Sequence, residues 1–180
     1  MTNIKNDTNL YITVYFNFKN SPLSFLLLFH LYGSSQLKLY NMKRTSTAHW
    51  EGTGKEGKGT MSSASGVLNN NPYTWSSRFS DAIGTNPEEL IAAAHAGCFS
   101  MKLSFVLGAA GYTPDHIDTK CTITIEDGTI THSELEVTAV VPGLHHDGFK
   151  ECAEEAKVNC PVSKLLGHGL AISLKAHLVK

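Results

Sequence analysis

The stretch from Pro87 to about Ala110 constrains this chain most. Asn86 fits an N-cap, Pro87 the first helical position and Glu89 the third residue past the cap, while Gly111 and Pro114 close the far end. This punctuation predicts one long helical region without a polar face, since Leu90, Ile91, Phe99, Met101, Phe105 and Leu107 fall all round it. Such a helix has to be covered on every side. One three-stranded sheet covers a single side, so the pattern requires more apolar cover than one small protomer supplies and points to a homodimer.

The flanking segments set the fold class. "TAHWEG", "GKGTMSSASG" and "YTWSSRF" read as short strands cut by Gly-rich turns, with "NNNP" at 69–72 as a turn, and together predict a β-meander. Past the long helix, "IDTKCTITIED" and "THSELEVTAVV" alternate as two strands joined by Asp127-Gly128, a hairpin dipeptide. An amphipathic helix from about His146 to Asn159, a helical turn opened by Cys160-Pro161 and an alternating last strand, "LAISLKAHLVK", complete the chain. Three strands, a long helix, two strands, a helix and a strand, with no repeated βαβ unit, indicate the α+β class.

The 180 residues suit one domain. A net charge of -1 without blocks of like charge excludes nucleic acid or an anionic membrane surface as the main partner, leaving a small molecule or a protein. Composition changes just before Met42: residues 1–41 hold four of the six tyrosines and four of the eight phenylalanines but no alanine. The expected organisation is therefore an N-terminal extension, 1–41, and a globular domain, 42–180. "SFLLLF" in the extension is too short for a membrane span of roughly 20 residues, its flanks do not suit a signal peptide, and "LYITVYFNF" alternates like an appended strand. Four unevenly spaced cysteines do not make a disulfide framework, which points to reduced, cytoplasmic thiols.

Cys121 shares a strand face with Ile123 and Ile125, and Cys152 lies at helical spacing with Phe149, Ala153 and Ala156, so both read as small core hydrophobes. Cys160 directly precedes Pro161, where unsatisfied helix N–H groups would lower a thiol pKa. Cys98, in "AAAHAGCFSM", suits close packing and nucleophilic chemistry equally well. Arg78, one of only two arginines, falls in a predicted strand shortly before the long helix, where it could stabilise a thiolate while a carboxylate such as Glu88 holds its guanidinium. No CxxC, no HExxH and no histidine pair beside a cysteine pair is present, so no metal site is expected. His95 reads as a packed core histidine and His145-His146 as a solvated loop.

"HWEGTGKEGKGT", "SGVLNNNPY", "GTNPEELIAAAHAGCFSM", "GYTPDHIDT" and "NCPVSKLL" together resemble the family of osmotically inducible protein C (OsmC) and organic hydroperoxide resistance proteins. The resemblance covers essentially all of Met42–Lys180, on the OsmC branch, and leaves the first 41 residues without a counterpart. It implies antiparallel sheets wrapped around central helices in an intertwined homodimer, with the site at the subunit interface. It further implies that Cys98 is the peroxidatic cysteine, Cys160 the resolving one, Arg78 the active-site arginine and Glu88, or its neighbour Glu89, the carboxylate that holds it. The implied activity is thiol-dependent reduction of organic hydroperoxides to alcohols in oxidative or osmotic stress defence. It would run through a Cys98 sulfenic acid and a Cys98–Cys160 disulfide, with an external thiol as reductant and no cofactor. The alternative from another class is a non-catalytic binding module that holds a hydrophobic ligand at the dimer cleft. A straight helix would set Glu88 and Cys98 ~15 Å apart at 1.5 Å per residue. The expectation is accordingly a helix break near Gly97, or an Arg78 that reaches across from elsewhere, such as the other subunit.

Overall fold

Asp127 and Gly128 have φ of 49° and 76°, the paired positive values of a two-residue hairpin turn, and so join the two longest strands of the fold. The computed structural model describes residues 42–80 and 82–179, and the expectations placed on residues 1–41 lie outside the described residues. In chain order the elements are β1 (Ser46–Glu51), β2 (Lys58–Ser63), β3 (Asn71–Thr74), α1 (Trp75–Phe79), α2 (Pro87–Ala109), β4 (His116–Glu126), β5 (Thr129–Val140), α3 (His146–Asn159), α4 (Pro161–Leu166) and β6 (Ala171–Val179). They form two three-stranded sheets, β1-β2-β3 and β4-β5-β6, the α+β arrangement expected. One pairing departs from the antiparallel expectation: β6 runs parallel to β5, Ala171 opposite His132 through Val179 opposite Val140. The helices α3 and α4 lie between these strands in sequence and supply the long crossover that a parallel return needs.

The core lies between the second sheet and the helices. On β5 the alternate residues Ser133, Leu135, Val137 and Ala139 are buried, and Phe99, Leu103 and Leu107 of α2 meet them together with Phe149, Ala153 and Ala156 of α3. The apolar residues of β6, Ile172, Leu174, Ala176 and Leu178, pack on this core from its margin. The buried residues of α2 form one stripe, His95, Phe99, Leu103, Val106 and Leu107. The opposite stripe is apolar as well, yet Met101 is 61% and Phe105 69% exposed. Among the described residues α2 is the one helix long and apolar enough to cross a bilayer, but its inner stripe is spent on this core.

The helix α2 is continuous from Pro87 to Ala109, so the break expected near Gly97 does not occur. A glycine inside a helix costs only about 1 kcal/mol relative to alanine, which the packing of a 23-residue helix outweighs. Arg78 likewise falls in a helix rather than the predicted strand. Thr74 caps α1: its Oγ1 accepts from the Ser77 N–H at 3.1 Å, and Ser77 Oγ accepts from the Thr74 N–H at 2.9 Å. This reciprocal pair ends β3 and turns the chain into one helical turn.

The first sheet has little interior. Between residues 46 and 79 only Gly59 and Ser77 are buried. Gly59 lies beneath the Trp50–Tyr73 ring pair, and a Cβ there would come within 2.5 Å of the His49 carbonyl and of the Tyr73 ring. Only glycine permits the β1-β2 pairing at that point.

Candidate active site

The start of α2 and the end of α1 are fastened to each other, which is what positions Arg78. Asn86, the N-cap of α2, accepts from the Glu89 N–H at 2.8 Å and donates through Nδ2 to the Ser77 carbonyl at 3.0 Å. Ser77 Oγ donates in turn to the Thr85 carbonyl at 3.0 Å. Arg78 thereby faces Glu88 and makes a two-pronged ion pair, Nε to Oε2 at 3.1 Å and Nη2 to Oε1. Glu89 turns elsewhere and accepts from Thr85 Oγ1 at 3.3 Å. Burial pushes the Glu88 carboxyl up, but the Arg78 hydrogen bond, its own backbone N–H and the guanidinium charge leave it below the ordinary carboxylate value. Arg78 lies over the Phe79 ring at 5.1 Å. The pair borders a cleft of about 510 Å³ whose other walls include Ala92, Cys121, Ile123 and Ile125.

The thiols of interest are brought together elsewhere. Cys98 is half-buried on α2, Cys160 is fully buried at the N-cap of α4, and both are free. The two thiols lie close enough to influence each other's titration, and the Val162 backbone N–H near the start of α4 acts on Cys98 as well. Cys160, at the N-cap itself, makes no side-chain capping bond. In the lone protomer burial pushes the Cys98 thiol up, the Val162 N–H pulls it down and Cys160 pushes it up again, for a net rise. Burial thus favours the thiol form of Cys98 in the lone protomer, and a cation beside it would favour the thiolate.

Beneath the thiols runs a buried polar chain. His95 is wholly buried, with Nδ1 2.7 Å from Ser133 Oγ and Nε2 2.8 Å from Ser163 Oγ. Cys121 Sγ lies 3.3 Å from Ser133 Oγ, so this residue is a polar-contacting wall thiol rather than purely a core filler. Cys152 is half-buried against the core, as expected. No group of histidine, cysteine and carboxylate side chains that could hold a metal occurs among the described residues. Val162 and Ser163 were not singled out in the sequence. The signal that could have found them is "CPVS" itself, because Pro161 at the first helical position aims the next N–H out of the helix start.

Four residues thus form two pairs, Arg78 with Glu88 and Cys98 with Cys160. The helix α2 carries Glu88 and Cys98 on one rod, ~15 Å apart at 1.5 Å per residue, so the pairs stay separate within a protomer.

Comparison with known proteins adds three findings. Residues 80–175 match the family described as OsmC-like protein. Peroxiredoxin OsmC of Escherichia coli (strain K12) is 50% identical over 123 residues, 66% of this chain and 86% of that protein, and Peroxiredoxin OsmC of Shigella flexneri matches equally. The fold is similar to that of an OsmC like protein from Mycoplasma pneumoniae, with a TM-score of 0.63 at 16% identity, over 78% of this chain and 99% of the other. It is also similar to that of the organic hydroperoxide resistance protein OhrB of Bacillus subtilis, with a TM-score of 0.54 at 24% identity, over 73% and 97%.

Proposed function

Since this chain belongs to the OsmC-like family and is a cysteine-based peroxidase, we propose that it reduces organic hydroperoxides to alcohols in stress defence, with Cys98 as the attacking thiol and Cys160 as the resolving one. The observation that carries this reading is the nearness of the two thiols, Cys98 packing on the core cluster that contains Cys160 and each influencing the other's titration. The Cys98 thiolate attacks the distal peroxide oxygen and the O–O bond breaks. The product alkoxide takes a proton to become the alcohol, and Cys98 is left as a sulfenic acid. The Cys160 thiol then displaces water from that sulfur to give the Cys98–Cys160 disulfide, and two equivalents of an external thiol return both cysteines to the reduced state. No step needs a metal or a prosthetic group. Reduction by external thiols fits the cytoplasm, where thiols are kept reduced.

Thiolate formation needs a cation, and the one matched to the task is Arg78. Glu88 already sets its guanidinium fork, and the Phe79, Ile123 and Ile125 walls of the adjoining cleft suit an alkyl or aryl peroxide tail. A homodimer brings the cation to the thiol. The exposed stripe of α2, with Ala93, Ala94, Gly97, Met101 and Phe105, is apolar and small near its first half. Ala93 lies midway between Glu88 and Cys98, so a two-fold axis passing α2 at that level sets the Arg78–Glu88 pair of each copy opposite Cys98 of the other. The peroxidase domain then runs from Met42 to Lys180, with residues 1–41 as an extension outside it.

The test is peptide mapping, without reductant, of the reduced protein after brief exposure to one equivalent of cumene hydroperoxide. A stoichiometric Cys98–Cys160 disulfide is expected. Unmodified Cys98 in a folded sample overturns the reading.

A further inference from the structure

Two contacts, rather than one, join the helices that carry the thiols. Cys98 of α2 packs on the core cluster that contains Cys160, at the head of α4, and the two thiols influence each other, while His95 of α2 meets Ser163 of α4 at 2.8 Å. His95 lies three residues before Cys98, and Ser163 three residues after Cys160. Residues three apart stand one helical turn from each other on the same face, so the contacts form a two-point registration between the helices.

The chain makes α4 with only six residues and gives its N-cap no side-chain bond. So short a helix has little stability of its own, and its placement depends on what its side chains hold. Val162 packs at the margin of the core, whereas Ser163, 5% exposed, is anchored by the imidazole. His95 is anchored on its other side as well, at Ser133 in the centre of β5, and no buried side-chain nitrogen or oxygen among the described residues lacks a partner. A hydroxyl on each side lets a neutral ring donate from one nitrogen and accept at the other. Were packing the only need, an apolar side chain would fill this place without desolvating three polar groups.

We infer that His95 is a positioning residue for disulfide formation: anchored on Ser133, it holds Ser163 and with it the head of α4, so that Cys160 stays against Cys98. The inference rests on the peroxidase reading above. Its role matters once Cys98 is a sulfenic acid. That group either condenses with the Cys160 thiol, releasing water, or meets a second hydroperoxide and goes on to the sulfinic acid. The placement of Cys160 decides between the two fates.

The experiment follows rapid-quench mass spectra of the reduced full chain mixed with tert-butyl hydroperoxide, recording sulfenic acid, disulfide and sulfinic acid at Cys98 separately. In Ser163→Ala the oxidation step stays within about threefold of the native rate, while disulfide formation slows about tenfold, as for a lost anchoring hydrogen bond, and sulfinic acid accumulates. Ser163→Thr, which keeps the hydroxyl, restores the native partition. Ser133→Ala, which removes the other anchor of His95 without touching α4, slows disulfide formation in the same direction by a smaller factor, about threefold. A Ser163→Ala protein that closes its disulfide at the native rate overturns the inference. So does a Ser133→Ala protein with no slowing at all, or a Ser163→Thr protein that stays slow. Native protein that forms no sulfenic acid at all refutes the peroxidase reading instead, so the two failures are told apart.

Discussion

The two sheets of this fold differ in what supports them. The second, β4-β5-β6, faces α2 and α3 across a core in which Phe99, Leu103, Leu107, Leu135, Val137 and Phe149 have almost no exposed surface. The first, β1-β2-β3, buries almost nothing, and the aromatic residues beside it, Trp75 and Phe79, are 41% and 48% exposed. The thiol pair belongs to the buried core beside β4-β5-β6, and the Arg78–Glu88 pair to the thinly covered region that follows β1-β2-β3. One half of the proposed site is therefore built by the chain alone, and the other half is held by local caps and waits for a surface to lean on.

The largest test of this division is Cys98→Ser, which should abolish peroxide turnover while leaving the fold intact. Full activity in a coupled peroxidase assay removes the thiol half from the mechanism. Next comes Phe149→Ala, expected to lower the unfolding free energy by about 3–5 kcal/mol in denaturant titration. Trp50→Ala should fall well below that in dilute protein, and equal losses would erase the contrast between the sheets. Arg78→Ala should reduce kcat/KM about 10²-fold, the size of one lost electrostatic stabiliser. Mixing inactive Cys98→Ser with Arg78→Ala should then restore activity through heterodimers that hold one complete site, about a quarter of all sites in an equal mixture. No recovery on mixing places Arg78 and Cys98 in the same subunit.

The smallest expected effect is a pH dependence of stability. Burial holds the His95 imidazole below its ordinary value of 6.5. Its close neighbours are the Ser133 and Ser163 hydroxyls and the Cys121 thiol, itself pushed up by burial, so none brings a compensating charge. Below pH 6.5 the unfolded chain takes up a proton that the folded chain refuses. Stability from this residue is complete above that pH and is lost as pH falls toward the depressed folded value, with a slope of at most about 1.4 kcal/mol per pH unit. In His95→Gln that part of the slope should vanish from thermal melts between pH 6.5 and 5.

Much of this was legible in the sequence because the relevant signals are local. Asn86-Pro87 marked the start of α2, Asp127-Gly128 marked the hairpin, and the alternation of β6 marked its half-buried face. The absence of a polar face on the long helix showed its need for cover on both sides. What stayed hidden depends on tertiary contacts. The cap of α1 uses Ser77 where a glutamate or glutamine is the usual signal, so Arg78 was assigned to a strand. Gly97 marks a break by local propensity alone, and the packing of the long helix overrides it. The influence of the α4 start on Cys98 could not be read either, since it depends on how two distant segments meet.

The order of the chain gives the thin first sheet a consequence for biosynthesis. Strands β1 to β3 leave the ribosome before α2 and the hairpin that make the core. They have almost nothing of their own to bury, so they gain little by pairing until the rest of the chain is made. Until then Trp50, Tyr73 and Trp75 have little apolar cover, so this meander is where limited proteolysis of the new chain is expected to begin.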